Sequence, residues 1–118
     1  MSAAINTVLP AGGVAFVTGG ARGLGLAVAL SFAREGCSGV TIVDVLPDDI
    51  LAASKAEIEA AGAKCLALKC DVTKEDQIEQ AVAATVKQFG RLDYAAYVNR
   101  KTSSRIFANP SGTATQQG

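Results

Sequence analysis

The chain has no histidine and no tryptophan, and its eleven basic residues are matched by eleven acidic ones. Without histidine, Ser-His-Asp and Cys-His catalysis, a histidine general base and His-ligated metal sites are excluded within this chain. The balanced charge provides no basic field for a phosphate backbone, which argues against nucleic acid as the main partner. Aromatic residues are few: Phe16, Phe32, Phe89, Phe107, Tyr94 and Tyr97. That is too sparse a set for a base-stacking surface. No run approaches the roughly 18 apolar residues of a membrane helix, so no membrane partner is expected. The first ten residues, MSAAINTVLP, carry no lysine or arginine and no long apolar stretch, and no secretory or transit peptide is read there. Cysteine is limited to Cys37, Cys65 and Cys70. An odd count without a signal sequence argues for free thiols in a reducing compartment, and a cytoplasmic location is expected. Cys65 and Cys70 have no second pair beside them, so the thiols are read as small core residues and no metal site is expected.

What is present is a globular composition in 118 residues, 49% hydrophobic and 19% charged, enough for one domain of ordinary size. Residues 14–18, VAFVT, form a short apolar β-rich run of the kind found in buried parallel strands. GLGLAVALSFARE follows from Gly23, with Leu24, Val28 and Phe32 spaced along one helical face and Gly36 as a terminator. A second strand is expected at 40–44, a second helix at 48–61 ended by Gly62, and a third strand at 64–70. Thr73 begins T-x-x-D, a variant capping box, before a helix in which Ile78, Val82, Val86 and Phe89 line one side. Gly90 stops that helix, and LDYAAYV starts a fourth strand. This βαβαβαβ alternation predicts an α/β fold with a parallel sheet covered by helices.

The composition changes near residue 99. Every acidic residue lies at or before Asp93, whereas NRKTSSRIFANPSGTATQQG has three bases and no acid. The stretch has no hydrophobic period and is expected to be a poorly ordered tail over 99–118, leaving a domain over 1–98 with a net charge of −3.

The segment that carries chemistry is VTGGARGLG, residues 17–25. A strand runs into a tight turn at Gly19, and a helix begins near Gly23. Missing side chains let a pyrophosphate approach the backbone and the helix N-terminus, where unpaired N–H groups and the helix dipole favour anions. Leu24 would offer its backbone N–H there, with its side chain pointing to the core. Asp44 ends the second strand, nineteen residues beyond Gly25, where a carboxylate can accept hydrogen bonds from ribose hydroxyls.

T-G-x-x-x-G-x-G, here Thr18-Gly19-Gly20-Ala21-Arg22-Gly23-Leu24-Gly25, resembles the fingerprint of the short-chain dehydrogenases/reductases. The spacing differs from the G-x-G-x-x-G of other dinucleotide folds, and it argues against an adenosylmethionine-dependent methyltransferase. The resemblance extends to Asp71-Val72, matching the family's acidic position near the adenine ring, and to GRLDY at 90–94. It covers about residues 12–96, the first half of the family's fold. It implies a Rossmann-like doubly wound parallel sheet, incomplete, of about four strands in the order 3-2-1-4. It also implies a dinucleotide held by Gly19, Arg22, Gly23, Leu24, Gly25, Asp44, Asp71 and Val72. Arg22 could pair with the 2′-phosphate of NADP, but Asp44 would repel that phosphate, so NAD is favoured over NADP.

The family's chemistry implies a tyrosine acid/base, a lysine four residues later and an upstream serine. Tyr97 and Lys101 satisfy Y-x-x-x-K, yet they directly follow the fourth strand. Extended residues four apart lie about 13 Å from each other, and the pair is read as accidental. Where the family has Asn-x-Ala-Gly, this chain has Tyr97-Val98-Asn99-Arg100. No catalytic residue is assigned. The reading is therefore an NAD(P)-binding portion of an alcohol/carbonyl oxidoreductase, whose own activity is uncertain. The alternative is a non-catalytic nucleotide-binding or subunit-interaction module. With no fifth parallel strand, the edge of the fourth is expected to be exposed and open to self-association.

Overall fold

A computed structural model of the chain describes residues 12–98 and the backbone of Arg105–Ala108. The elements alternate as the sequence predicts: β1 (Val14–Thr18), α1 (Gly23–Arg34), β2 (Gly39–Asp44), α2 (Asp48–Ala60), β3 (Lys64–Lys69), α3 (Glu75–Phe89) and β4 (Tyr94–Tyr97). A further strand, β5, covers Arg105–Ala108. The first four strands are parallel in the order β3-β2-β1-β4, the expected doubly wound arrangement. Gly36, Gly62 and Gly90, read as helix terminators, all take positive φ.

The central strand β1 is buried along its whole length. Strand alternation divides its side chains between two cores. Ala15 aligns with Val40 and Tyr94, and Val17 with Ile42 and Ala96. This layer packs with Ala29, Leu30 and Phe32 of α1 and Leu51 and Ile58 of α2. Phe32 stacks on Tyr94 with ring centroids 5.6 Å apart. Phe16 and Val43 face the other way and cluster with Cys70 and with Ala81 of α3.

The inward faces of two helices differ from those that periodicity predicts. In α1 the buried line runs through Gly25, Ala29, Phe32 and Ala33. Leu24 is 55% exposed, so its side chain does not point to the core. The reason is steric: a Cβ on Gly25 would lie 1.8 Å from the Gly19 carbonyl oxygen, so the bare side of Gly25 must face the preceding turn. One residue on a helix is about 100° of rotation, which leaves Leu24 outside. In α3 the innermost residues are Ala81 and Thr85, with Ile78 and Val82 flanking them and Val86 exposed. Thr85 Oγ1 lies 2.9 Å from both Thr41 Oγ1 and the Ala81 carbonyl, so Thr41 can donate to Thr85 and Thr85 to Ala81. Both buried hydroxyls are thereby satisfied.

Two further expectations are corrected. Thr73 does not cap α3, whose N-cap is Lys74 with no side-chain cap bond. Its N–H and hydroxyl donate instead to Asp71 Oδ1, at 2.9 and 2.6 Å, because the short turn favours that nearer carboxylate. The edge of β4 is also not open: β5 pairs with it antiparallel from Tyr94↔Ala108 to Tyr97↔Arg105. An edge strand presents unpaired N–H and C=O groups, and the β-favouring run Arg105-Ile106-Phe107-Ala108 supplies partners from within the chain. The rest of the expected tail, and Lys101 with it, lies outside the described residues.

Asp93 locks β4 to β1. Its backbone N–H donates to the Val14 carbonyl at 2.9 Å, while its Oδ2 accepts the Val14 N–H at 2.9 Å. Arg91 donates Nε and Nη2 to the same carboxylate at 2.8 and 2.9 Å. Burial pushes the Asp93 carboxyl up, but the Arg91 and Val14 hydrogen bonds and the Arg91 charge hold it below the ordinary carboxylate range. A carboxyl lowered on folding stabilises the fold above its unfolded pKa of about 4, and that contribution is lost as pH falls through the lowered value. Thermal unfolding at pH 7 and pH 3 measures this. Asp93→Asn is expected to lower the neutral midpoint by a few degrees and to shrink the gap between the two pH values. An unchanged gap would show that other carboxylates set the acid limb.

Candidate functional site

The C-terminal ends of the parallel strands bring Thr18, Asp44 and Tyr97 to one edge of the sheet. The turn leaving β1 is tied to β2 by the Gly19 and Gly20 amides, which donate to the Val43 carbonyl at 2.8 and 3.4 Å. It is tied to β4 by the Val98 N–H, which donates to Thr18 Oγ1 at 3.0 Å. These bonds set the direction in which the chain enters α1.

That entry leaves an anion-ready terminus. Arg22 is the N-cap, extended at φ −165° and ψ 171°, with no side-chain cap bond and no acidic residue in the first turn. The amides of Gly23, Leu24 and Gly25 have no helical carbonyl one turn back. Gly23 sits at φ +62° with nothing within 4 Å of where a Cβ would be, so the approach to these amides is open. Arg22 is exposed beside them.

Asp44 is joined directly to this loop. Its Oδ2 accepts the Ala21 N–H at 3.2 Å and its Oδ1 accepts the Val45 N–H at 2.8 Å. Each oxygen keeps a lone pair for a further donor. The Cys70 N–H donates to the Asp44 carbonyl at 2.9 Å, which sets the Asp71–Val72 turn beside Asp44. Hydrogen bonds from the Thr73 hydroxyl and amide, with the Lys74 charge, hold the Asp71 carboxyl below the ordinary range. Those bonds use Oδ1 and leave Oδ2 available. The Asp71 N–H donates to Gln77 Oε1 at 2.8 Å, anchoring the turn on α3. Val45 and Val72 each follow one of the acids and are 58% and 48% exposed, so two large apolar side chains stand uncovered at this edge.

The sequence reading thus places Gly19, Arg22, Gly23, Leu24, Gly25, Asp44, Asp71 and Val72 at a single sheet edge. It misses Ser54, whose buried hydroxyl on α2 donates to the Ala21 carbonyl. The signal was a small polar residue between Leu51 and Ile58 on the inward face of α2. Among the described residues no group of His, Cys, Asp or Glu could hold a metal ion. The cysteines are buried thiols, with burial the main cause that pushes Cys37 up to about 11 and Cys65 up to about 12. A shallow depression lined by Ser38, Glu59, Gly62, Ala63 and Lys64 lies at the opposite edge, where β3 begins. Among the described residues no helix is long and apolar enough to cross a membrane.

The model of the short chain dehydrogenase family matches residues 13–99, which contain every element from β1 through β4. The chain belongs to this family. It is 43% identical over 94 residues to hydroxysteroid dehydrogenase-like protein 2 of Danio rerio, covering 75% of this chain and 22% of that one. A short-chain type dehydrogenase/reductase from Mycobacterium ulcerans superposes with a TM-score of 0.68 at 33% identity, covering 75% of this chain and 32% of the other. An NAD+-bound xylitol dehydrogenase gives a TM-score of 0.65 at 32% identity, covering 70% and 31%. The chain therefore spans about a fifth of the Danio rerio relative and about a third of the two dehydrogenases of known structure. The matched portion contains the whole glycine loop and both acids.

Proposed function

We propose that this edge binds the adenosine diphosphate half of a nicotinamide dinucleotide, and that it takes NAD in preference to NADP. The observation that carries the reading is the bond between Asp44 Oδ2 and the Ala21 amide. It puts a carboxylate that can accept ribose hydroxyls next to a helix terminus whose free amides suit a diphosphate. The open space where a Cβ on Gly23 would stand leaves room for such a group beside the first-turn amides. Leu24 contributes its amide, while its exposed side chain and those of Val45 and Val72 offer apolar surface to a flat base. In this reading Asp71 Oδ2, which Thr73 does not use, accepts from an exocyclic amine. Asp44 disfavours a 2′-phosphate by like charge, whereas the exposed Arg22 beside the loop would attract one.

When bound, the nicotinamide would exchange hydride with an alcohol or carbonyl carbon, the chemistry of the family. No proton-transfer role is assigned in this chain. Tyr97 ends a strand, and Lys101 lies outside the described residues. The activity of a full-length relative would need groups beyond these. Calorimetric titration of the full chain with NADH and NADPH tests the reading. Micromolar to submillimolar NADH binding is expected, with weaker NADPH binding. Asp44→Ala is expected to weaken NADH roughly tenfold and NADPH less, because it removes both an acceptor and a repulsive charge. Equal losses would remove Asp44 from the ribose contact, and no NADH binding at millimolar concentration would end the proposal.

A further inference from the structure

Building on the dinucleotide reading, we propose that Ser54 is a positioning residue: by holding the Ala21 carbonyl it keeps the Ala21 amide on Asp44 and so supports the preference for an unphosphorylated ribose. A serine inside a helix usually points to water or bonds a carbonyl of its own preceding turn. Ser54 does neither. It is 3% exposed, and its hydroxyl donates across to a loop 33 positions earlier in the chain.

Ala21 is itself only 1% exposed and packs in the main core. Both of its backbone polar groups are met by side chains, the carbonyl by Ser54 of α2 and the N–H by Asp44 of β2. A buried carbonyl deprived of its donor cannot simply turn to solvent, so the peptide must shift to find one. The Asp44 bond is exposed to such a shift. At 3.2 Å it lies at the long end of the N–H···O range. Once it breaks, the carboxylate loses a donor that orients it, and Arg22, the next residue, moves with the loop. NADH uses that orientation through its ribose hydroxyls. NADPH, which Asp44 opposes by charge, does not depend on it. Loss of the serine hydroxyl should therefore change the ratio of the two affinities. A loss of packing alone would lower both together.

The test uses the full chain titrated with NADH and NADPH, together with amide hydrogen exchange without ligand. Ser54→Ala is expected to weaken NADH about tenfold and NADPH by no more than about twofold, and to speed exchange at Ala21. Ser54→Thr, which retains the hydroxyl, is expected to recover NADH affinity to within about threefold. Ile58→Val, one turn further along the same buried face of α2, is expected to lower stability without altering the ratio. Should the alanine variant not fold, Ser54→Cys, with a weaker donor of similar size, is expected to show the same ratio change at smaller amplitude. Unchanged NADH affinity in Ser54→Ala, a parallel loss of both nucleotides, or an equal ratio change in Ile58→Val would each overturn the role. Unaltered exchange at Ala21 would overturn the clamp. Wild-type chain that binds neither nucleotide overturns the dinucleotide reading, and this role with it. Wild-type binding with an indifferent Ser54→Ala overturns this role alone.

Discussion

Gly25→Ala is expected to cost at least about 3 kcal/mol of stability and to lower the unfolding midpoint by roughly 15 °C or more. The added Cβ would lie 1.8 Å from the Gly19 oxygen, 2.5 Å from the Gly19 carbonyl carbon and 3.1 Å from the Gly20 Cα. Each of these is a backbone atom, so no side-chain rotation relieves the clash. The turn cannot retreat cheaply, because Gly19 and Gly20 are bonded to Val43 and Thr18 to Val98. Either α1 lifts away from the sheet and opens the main core, or the turn gives up those bonds. Thermal unfolding followed by circular dichroism reads the effect. A midpoint within two or three degrees of wild type would mean that helix and turn do not meet this closely in solution.

Gly23→Asp is expected to weaken NADH by more than about a hundredfold, near 3 kcal/mol, while costing the fold less than Gly25→Ala does. Two effects act on binding. The new carboxylate would sit in the open space above the first-turn amides and take the hydrogen bonds a diphosphate would otherwise accept. Its charge also opposes that diphosphate at short range. The cost to folding is tempered, because an acidic residue suits the N-terminus of α1, which has none of its own in the first turn. The remaining strain comes from φ +62°, a conformation asparagine adopts more readily than most residues. Gly23→Asn therefore separates charge from backbone strain and should retain most NADH affinity. If Asp and Asn variants bind NADH equally, charge at this terminus is irrelevant and the diphosphate lies elsewhere.

Much of the site was legible because its parts are local. The turn from Thr18 to Gly25 joins a strand to a helix within eight residues, and Gly19, Gly20, Gly23 and Gly25 all fall inside it. Asp44 was found by counting to the end of the next strand. Asp71–Val72 was found by the family pattern, and its turn proved to be organised by Thr73 and not by a helix cap. Leu24 was expected to turn its side chain to the core and does not, since hydropathy registers that it is apolar but not that Gly25 must face the turn.

Order along the chain, the alternation of strands and helices, the parallel sheet and the glycine turn between β1 and α1 follow from the sequence by itself. Each is written in short-range signals: apolar strand runs, helical spacing, and glycines at the junctions. Tertiary structure alone decided which line of each helix faces inward. Small residues such as Gly25, Ala29, Ala81 and Thr85 win that line by allowing close approach, although larger apolar residues lie nearby. It also decided that Ser54, Ala21 and Asp44 meet, and that Arg105–Ala108 returns to pair with β4. Such contacts join residues far apart in the chain, and their energy depends on distances and satisfied hydrogen bonds that no local pattern of hydrophobicity records.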